Sequence, residues 1–153
     1  RFHAPLAPHL AARSEGRAID RKLLRHGIDD WRARSDVVVV EGAGGLMSPV
    51  SDVDYNADLA LEFGYPLVLV APNRLGTINQ TLQTLITALT FREGLPVAGI
   101  VLNDISPEPD PSTTTNDAEL EARSVPPLLA RVAHAGQFDR EVDWFAIASG
   151  TIA

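Results

Sequence analysis

Val37-Val38-Val39-Val40-Glu41-Gly42-Ala43-Gly44-Gly45 decides how this chain is read. Four consecutive β-branched residues predict a central strand of a parallel sheet, because a strand covered on both faces reads as a continuous apolar run. Glu41 then stands at the carboxyl end of that strand, where open parallel sheets bind their ligands. Gly42, Gly44 and Gly45 lack a Cβ, so backbone N–H groups can approach an anion closely. A carboxylate beside such a loop suits Mg²⁺ held against phosphate oxygens. The same residues also fit a plain glycine turn with an exposed Glu, so spacing alone leaves two readings.

The flanking sequence repeats the strand signal. Leu67 to Ala71 and Val97 to Leu102 are further buried strands, and Leu128 to Val132 is a fourth. Ile19 to Trp31 has helical spacing, with Asp20 near its start. Asn56 to Phe63 is a helix stopped by Gly64 and Pro66. Thr77 caps a longer helix with the stripe Ile78, Leu82, Leu85, Ile86 and Leu89, ended by Gly94 and Pro96. Ser106 to Asn116 is a loop, Asp117 to Arg123 a short helix, and Phe138 to Ala148 a docking helix. Alternating strands and helices with short joints predict one right-handed parallel α/β domain over residues 1–153.

Composition narrows the function. Hydrophobic residues make up 45% and charged residues 22%, a globular balance. No apolar run reaches a membrane span and no signal-peptide layout opens the chain, so a cytoplasmic protein is expected. The net charge of −7 disfavours nucleic acid and anionic membranes as partners. The absence of Cys excludes disulfides, thiolate metal sites and a Cys nucleophile.

Two further stretches carry candidate chemistry. Asn73-Arg74-Leu75-Gly76-Thr77-Ile78-Asn79 follows a strand and opens a helix, which offers free N–H groups to a carboxylate or phosphate, or is an ordinary capped start. No charge occurs between Arg74 and Arg92, and Asn79, Gln80, Gln83, Thr84, Thr87 and Thr90 form an uncharged polar face. Such a face suits a subunit interface better than solvent. Asn103-Asp104 ends the third strand, where an amide can pair with adenine's donor–acceptor edge or cap the loop. The histidines show no metal spacing, and only His9 is kept as a candidate. Asp52 and Asp54 are expected in a solvated acidic loop. Trp31 and Trp144 read as core or interface aromatics.

Val40-Glu41-Gly42-Ala43-Gly44-Gly45, Leu75-Gly76-Thr77-Ile78-Asn79 and Gly99-Ile100-Val101-Leu102-Asn103-Asp104 together resemble the dethiobiotin synthetase family. Ala7-Pro8-His9-Leu10-Ala11-Ala12 is similar to a further stretch of that family. The resemblance runs from the start of the chain to about residue 104 and then fades. It implies a Rossmann-like, three-layer P-loop NTPase-like fold and a homodimer. It implies carboxylation of 7,8-diaminopelargonate with CO₂ and Mg-ATP, closing the ureido ring of dethiobiotin. By resemblance, Glu41 is the Mg²⁺ ligand and Gly42, Ala43 and Gly44 line the ATP phosphates. Asn103 and Asp104 hold adenine. Gly45 with Leu75, Gly76, Thr77, Ile78 and Asn79 binds the substrate, the last five through its carboxylate tail in the other subunit.

The chain departs from the family in one major respect. The family opens with a strand, a P-loop and two catalytic lysines, whereas Lys22 is the only lysine here and no glycine loop precedes it. The run Pro127-Leu128-Leu129-Ala130-Arg131-Val132-Ala133 also lacks the Gly and second Pro of the family's adenine clasp, and no residue is carried over from it. Phosphoryl transfer rests on positioning and charge neutralisation, so this chain alone is expected not to turn over. The expectation is a synthetase whose P-loop segment lies upstream of Arg1. The alternatives are a non-catalytic binding module and another P-loop-class amidoligase or ATPase.

Overall fold

A computed structural model describes residues 1–150. Two compact units follow one another, Arg1–Tyr65 and the chain from Pro66 onward. The first holds four helices: α1 (Pro8–Ser14), α2 (Arg21–His26), α3 (Asp29–Arg32) and α4 (Asn56–Phe63). The second holds β1 (Leu67–Asn73), α5 (Thr77–Thr90), β2 (Val97–Asp104), α6 (Asn116–Arg123), β3 (Leu128–Val132) and α7 (Trp144–Ala148).

The α/β class and the parallel pairing are as expected. β1, β2 and β3 lie side by side in that order, all parallel. Helices α5 and α6 pack against β1 and β3 respectively. Ala71, Ile100, Leu102, Leu120 and Leu128 form the core of this unit, with Leu69 and Leu85 packed onto it. The two Gly–Pro joints differ: Gly64, at φ 68°, is the C-cap of α4 as expected, a conformation that favours a residue without a Cβ. Helix α5 instead ends at Thr90 with Phe91 as its C-cap, and Gly94, at φ 88°, closes the turn that follows, donating its N–H to Phe91 O at 2.8 Å. The Pro66 and Pro96 that follow each stand just before a strand.

Several expectations are corrected. Val37–Val40 has no regular secondary structure and enters no ladder among the described residues, and Val39 is 89% exposed. A β-branched run biases its own backbone, but a strand exists only where a partner supplies the hydrogen bonds. Nor is β1 buried throughout, since Val70 is 66% exposed. The helix expected over 19–31 is broken at Gly27 into α2 and α3, leaving Leu23 and Trp31 exposed. Asp20 does cap it, accepting from the N–H groups of Lys22 and Leu23 at 3.0 Å each.

Gly76, with φ 94°, is the N-cap of α5, and Thr77 is instead its fully buried first residue. The buried face of α5 is Thr77, Thr81 and Ala88, so Ile86 and Leu89 of the predicted stripe point outward. Thr84, Thr87 and Thr90 satisfy their hydroxyls on their own helix, donating to the carbonyls of Gln80, Gln83 and Ile86. Asp110 organises the start of the turn before α6, accepting from Ser112 N–H at 2.7 Å and Thr113 N–H at 3.1 Å. The docking helix expected over 138–148 is reduced to the five residues of α7, with Ile147 buried and Phe145 exposed. Trp144 stacks at a tilt on Phe138, ring centroids 5.3 Å apart.

Candidate functional site

In the first unit, the segment after the valine run forms an open loop braced by α4. Asn56, the first residue of α4, donates its side-chain amide to the carbonyls of Gly45 at 2.9 Å and Ala43 at 3.2 Å. Ser48 N–H takes Gly45 O as well, at 2.9 Å. Carbonyls are therefore drawn toward α4, while no N–H from Gly42 to Gly45 donates to another group among the described residues. Gly44 sits at φ 90°, and a Cβ there would lie 2.5 Å from Ser48 Oγ. Only glycine fits that turn without strain. Glu41 is exposed and makes no hydrogen bond or ion pair among the described residues.

That donor set fits Mg²⁺ and phosphate. Mg²⁺ keeps several waters and is held by one or two carboxylates plus phosphate oxygens rather than by a protein cage. No cluster of three or more acidic or His side chains that could hold a metal occurs among the described residues. One free carboxylate beside unpaired amides is the kind of half-site that a metal–phosphate complex completes.

In the second unit, the candidates gather at the carboxyl ends of adjacent strands. Asn73 and Asp104 are register partners at the ends of β1 and β2, and Asn103 is one residue inside. Asn73, 2% exposed, donates its amide to Asp104 Oδ1 at 2.6 Å and to Thr113 O at 3.0 Å. Asn116 fixes that amide from behind, donating to Asn73 Oδ1 at 2.8 Å. Arg131 on β3 reaches both Asp104 oxygens through Nε, at 3.1 and 3.0 Å. The Asn103 side chain makes no hydrogen bond among the described residues. Leu75, Gly76 and Asn79 are exposed, Ile78 is half-buried and Thr77 is enclosed. The Ile78 and Asn79 N–H groups have no partner ahead of α5, leaving its first turn able to take a carboxylate.

The roles of Asn56, Asn116 and Arg131 are not legible in the sequence, and Asn73, which opens a candidate stretch, turns out to hold Asp104 rather than a ligand. A lone charge inside Leu128-Leu129-Ala130-Arg131-Val132 was the available signal, because a half-buried guanidinium in a strand demands an acceptor. Asp54 is not solvated as expected: it is 5% exposed and accepts from Arg21, Arg25 and Ser51. His9 is half-buried, its Nδ1 enclosed without a partner among the described residues, and it lies apart from the loop hydrogen bonds.

Asn56→Ala removes both amide donations to the glycine loop. Each such bond contributes about 1 kcal/mol net, so a loss of about 1–2 kcal/mol is expected in thermal or urea unfolding of the chain. An unchanged midpoint would show that the loop holds its shape without Asn56.

Residues 1–142 match a family model described as an AAA domain. The chain is 49% identical over 119 residues to the ATP-dependent dethiobiotin synthetase BioD of Anaeromyxobacter dehalogenans strain 2CP-C, covering 78% of this chain and 52% of that protein. It is 43% identical over 133 residues to the protein of the same name from Anaeromyxobacter sp. strain Fw109-5, covering 87% and 59%. With that of Rhodopirellula baltica the identity is 39% over 142 residues, covering 86% and 55%. The chain thus spans about half the length of these curated relatives.

Proposed function

The chain belongs to the AAA domain family and is a dethiobiotin synthetase homologue, and from that premise we propose that the complete polypeptide is an ATP-dependent dethiobiotin synthetase acting in the cytoplasm. The reaction joins CO₂ to 7,8-diaminopelargonate and closes the ureido ring, with ATP supplying the phosphoryl group that activates the carboxyl. The observation that carries this reading is the loop after Glu41, whose carbonyls are tied back by Asn56 and Ser48 while its N–H groups stay free. Bound Mg²⁺ would neutralise phosphate charge, and Glu41 is the residue to hold it.

Gly42, Ala43 and Gly44 would take phosphate oxygens through their amides, and Gly45 would face the substrate. Asn103 would read the adenine edge, with Asp104 beside it. Leu75, Gly76, Thr77, Ile78 and Asn79 would take the carboxylate tail of 7,8-diaminopelargonate, through amides of the first helical turn rather than through the enclosed Thr77 hydroxyl. The lysine charges that the family uses are not among these residues, since Lys22 is exposed on α2. Residues 1–153 alone are therefore expected to bind but not to turn over. Dethiobiotin formed from the diamine, bicarbonate and Mg-ATP, followed by mass spectrometry, tests the reading. No product from the complete polypeptide would leave a binding module in its place.

The family's dimer is proposed to form on the outward face of α5, where Ile86 is 61% and Leu89 76% exposed. Exposed large apolar side chains grouped on one helix mark an interface more often than a solvated surface. Leu89→Lys is expected to weaken dimerisation at least about tenfold in sedimentation equilibrium, a desolvated charge costing more than 1.4 kcal/mol. An unchanged dimer would put the interface elsewhere.

A further inference from the structure

We propose that Arg131 is a positioning residue that sets the purine preference of the nucleotide site, by occupying Asp104 so that its carboxylate cannot take the paired donors of guanine. The proposal rests on the reading of Asn103 and Asp104 as the nucleobase site.

A carboxylate offers about four lone-pair positions, two on each oxygen. In Asp104, Oδ1 is filled by Asn73 Nδ2 at 2.6 Å and Arg131 Nε at 3.1 Å. Oδ2 accepts the same Arg131 Nε at 3.0 Å, which leaves it one position. The arrangement is braced on every side. Asn116 holds the Asn73 amide so that its NH₂ faces Asp104, and both asparagines are buried, at 3% and 2% exposure. Arg131 is anchored through its backbone N–H to Asp139 Oδ1 at 2.8 Å, and its Nη1 lies 3.7 Å from Asp117.

The two purines ask different things of such a group. Guanine presents N1–H and the N2 amino group side by side, and a free carboxylate takes that pair with one oxygen each, a charge-assisted double bond. Adenine presents a single amino group flanked by ring-nitrogen acceptors, which matches an amide carrying one donor and one acceptor. With Arg131 in place, the free Asn103 amide serves adenine, while Asp104 keeps a single open position, on Oδ2. The charge that would reward guanine is already neutralised, and one of the two oxygens it needs is full. Without Arg131 both oxygens regain an open position, and Asn73 still holds the carboxylate in place.

The test is equilibrium binding of ADP and of GDP, each with Mg²⁺, to the complete polypeptide by titration calorimetry. Arg131→Ala is expected to shift the GDP-to-ADP affinity ratio toward guanine about tenfold or more, mainly by tightening GDP, the scale of one good bidentate base contact. Arg131→Ala combined with Asp104→Asn should cancel the gain, because an amide has only one accepting oxygen. A merely structural Arg131 would weaken both nucleotides together, and that result, or an unchanged ratio, overturns the proposal. So does a ratio shift that survives in the double variant. If the alanine variant does not fold, Arg131→Met keeps the aliphatic stem and is read by the same ratio. Asn103→Ala separates the two levels: if it leaves both affinities unchanged, the nucleobase does not bind at these strand ends and the parent reading falls with the proposal. If it weakens binding while the Arg131 variants leave the ratio alone, only the role of Arg131 falls.

Discussion

Glu41→Gln in the complete polypeptide is expected to lower Mg²⁺-dependent turnover about a hundredfold or more, with unfolding midpoint unchanged. A metal ligand acts on charge that develops in the transition state, an effect of several kcal/mol, and each 1.36 kcal/mol is tenfold in rate. The fold should not respond, because Glu41 is exposed and touches no partner among the described residues. Gln keeps the size and an acceptor oxygen but lacks the charge. Raising Mg²⁺ should recover part of the loss, which separates weakened metal binding from a damaged loop. Steady-state rates against Mg²⁺ concentration check this, and wild-type kinetics in the variant would remove Glu41 from the metal site.

The second large effect is on stability. Asp54 accepts from Arg21 Nε at 2.6 Å and Nη2 at 2.9 Å, from Arg25 Nη2 at 2.8 Å, and from Ser51 Oγ at 2.6 Å. It joins α2 to the segment leading into α4, and Arg25 extends the network to Glu62 on α4. Asp54→Ala leaves two guanidinium groups without their shared acceptor. Breaking a buried pair costs about 3–5 kcal/mol, and the half-exposed Arg21 lowers this to about 2–3 kcal/mol here. Chemical denaturation at neutral pH measures it, and a loss under about 0.5 kcal/mol, the range of ordinary surface changes, would contradict the role.

The same network sets an acid limb. Hydrogen bonding from Arg21 foremost, then Arg25 and Ser51, holds the Asp54 carboxyl far below the usual carboxylate range, against desolvation that acts to raise it. A depressed folded-state value means that the stabilisation is fully present above the unfolded value of about 3.9. It is lost as pH falls below that toward the folded value. Unfolding free energy should therefore decline below about pH 4, and Asp54→Asn should flatten that decline.

Asp54 also shows why part of the site was not legible in the sequence. Its spacing from Asp52 and Val53 read as a solvated loop, because nothing local reveals that Arg21, 33 residues earlier, will fold onto it. Asn56 read as the start of a helix, which it is, yet its amide clips carbonyls 11 and 13 residues upstream. Arg131 and Asp104 meet across 27 residues, only because β2 and β3 pair in parallel. Such contacts depend on register and crossover, which no short window of residues contains.

Some of these features are decided by neighbours along the chain. The helix end at Gly64, the span of α4, the α/β class and the glycine loop all follow from backbone freedom, capping and the period of apolar residues, which act over a few positions. Tertiary structure decided the rest. It denied Val37–Val40 a ladder, since a β-branched run becomes a strand only against a partner's N–H and C=O groups. It turned α5 so that Thr77 and Thr81 face inward while Ile86 and Leu89 face out, since the elements a helix packs against, here β1 and α6, decide which of its faces is covered. And it closed Asn116, Asn73, Asp104 and Arg131 into one network, because a polar group brought under cover is stabilised by whatever partner the fold places within reach.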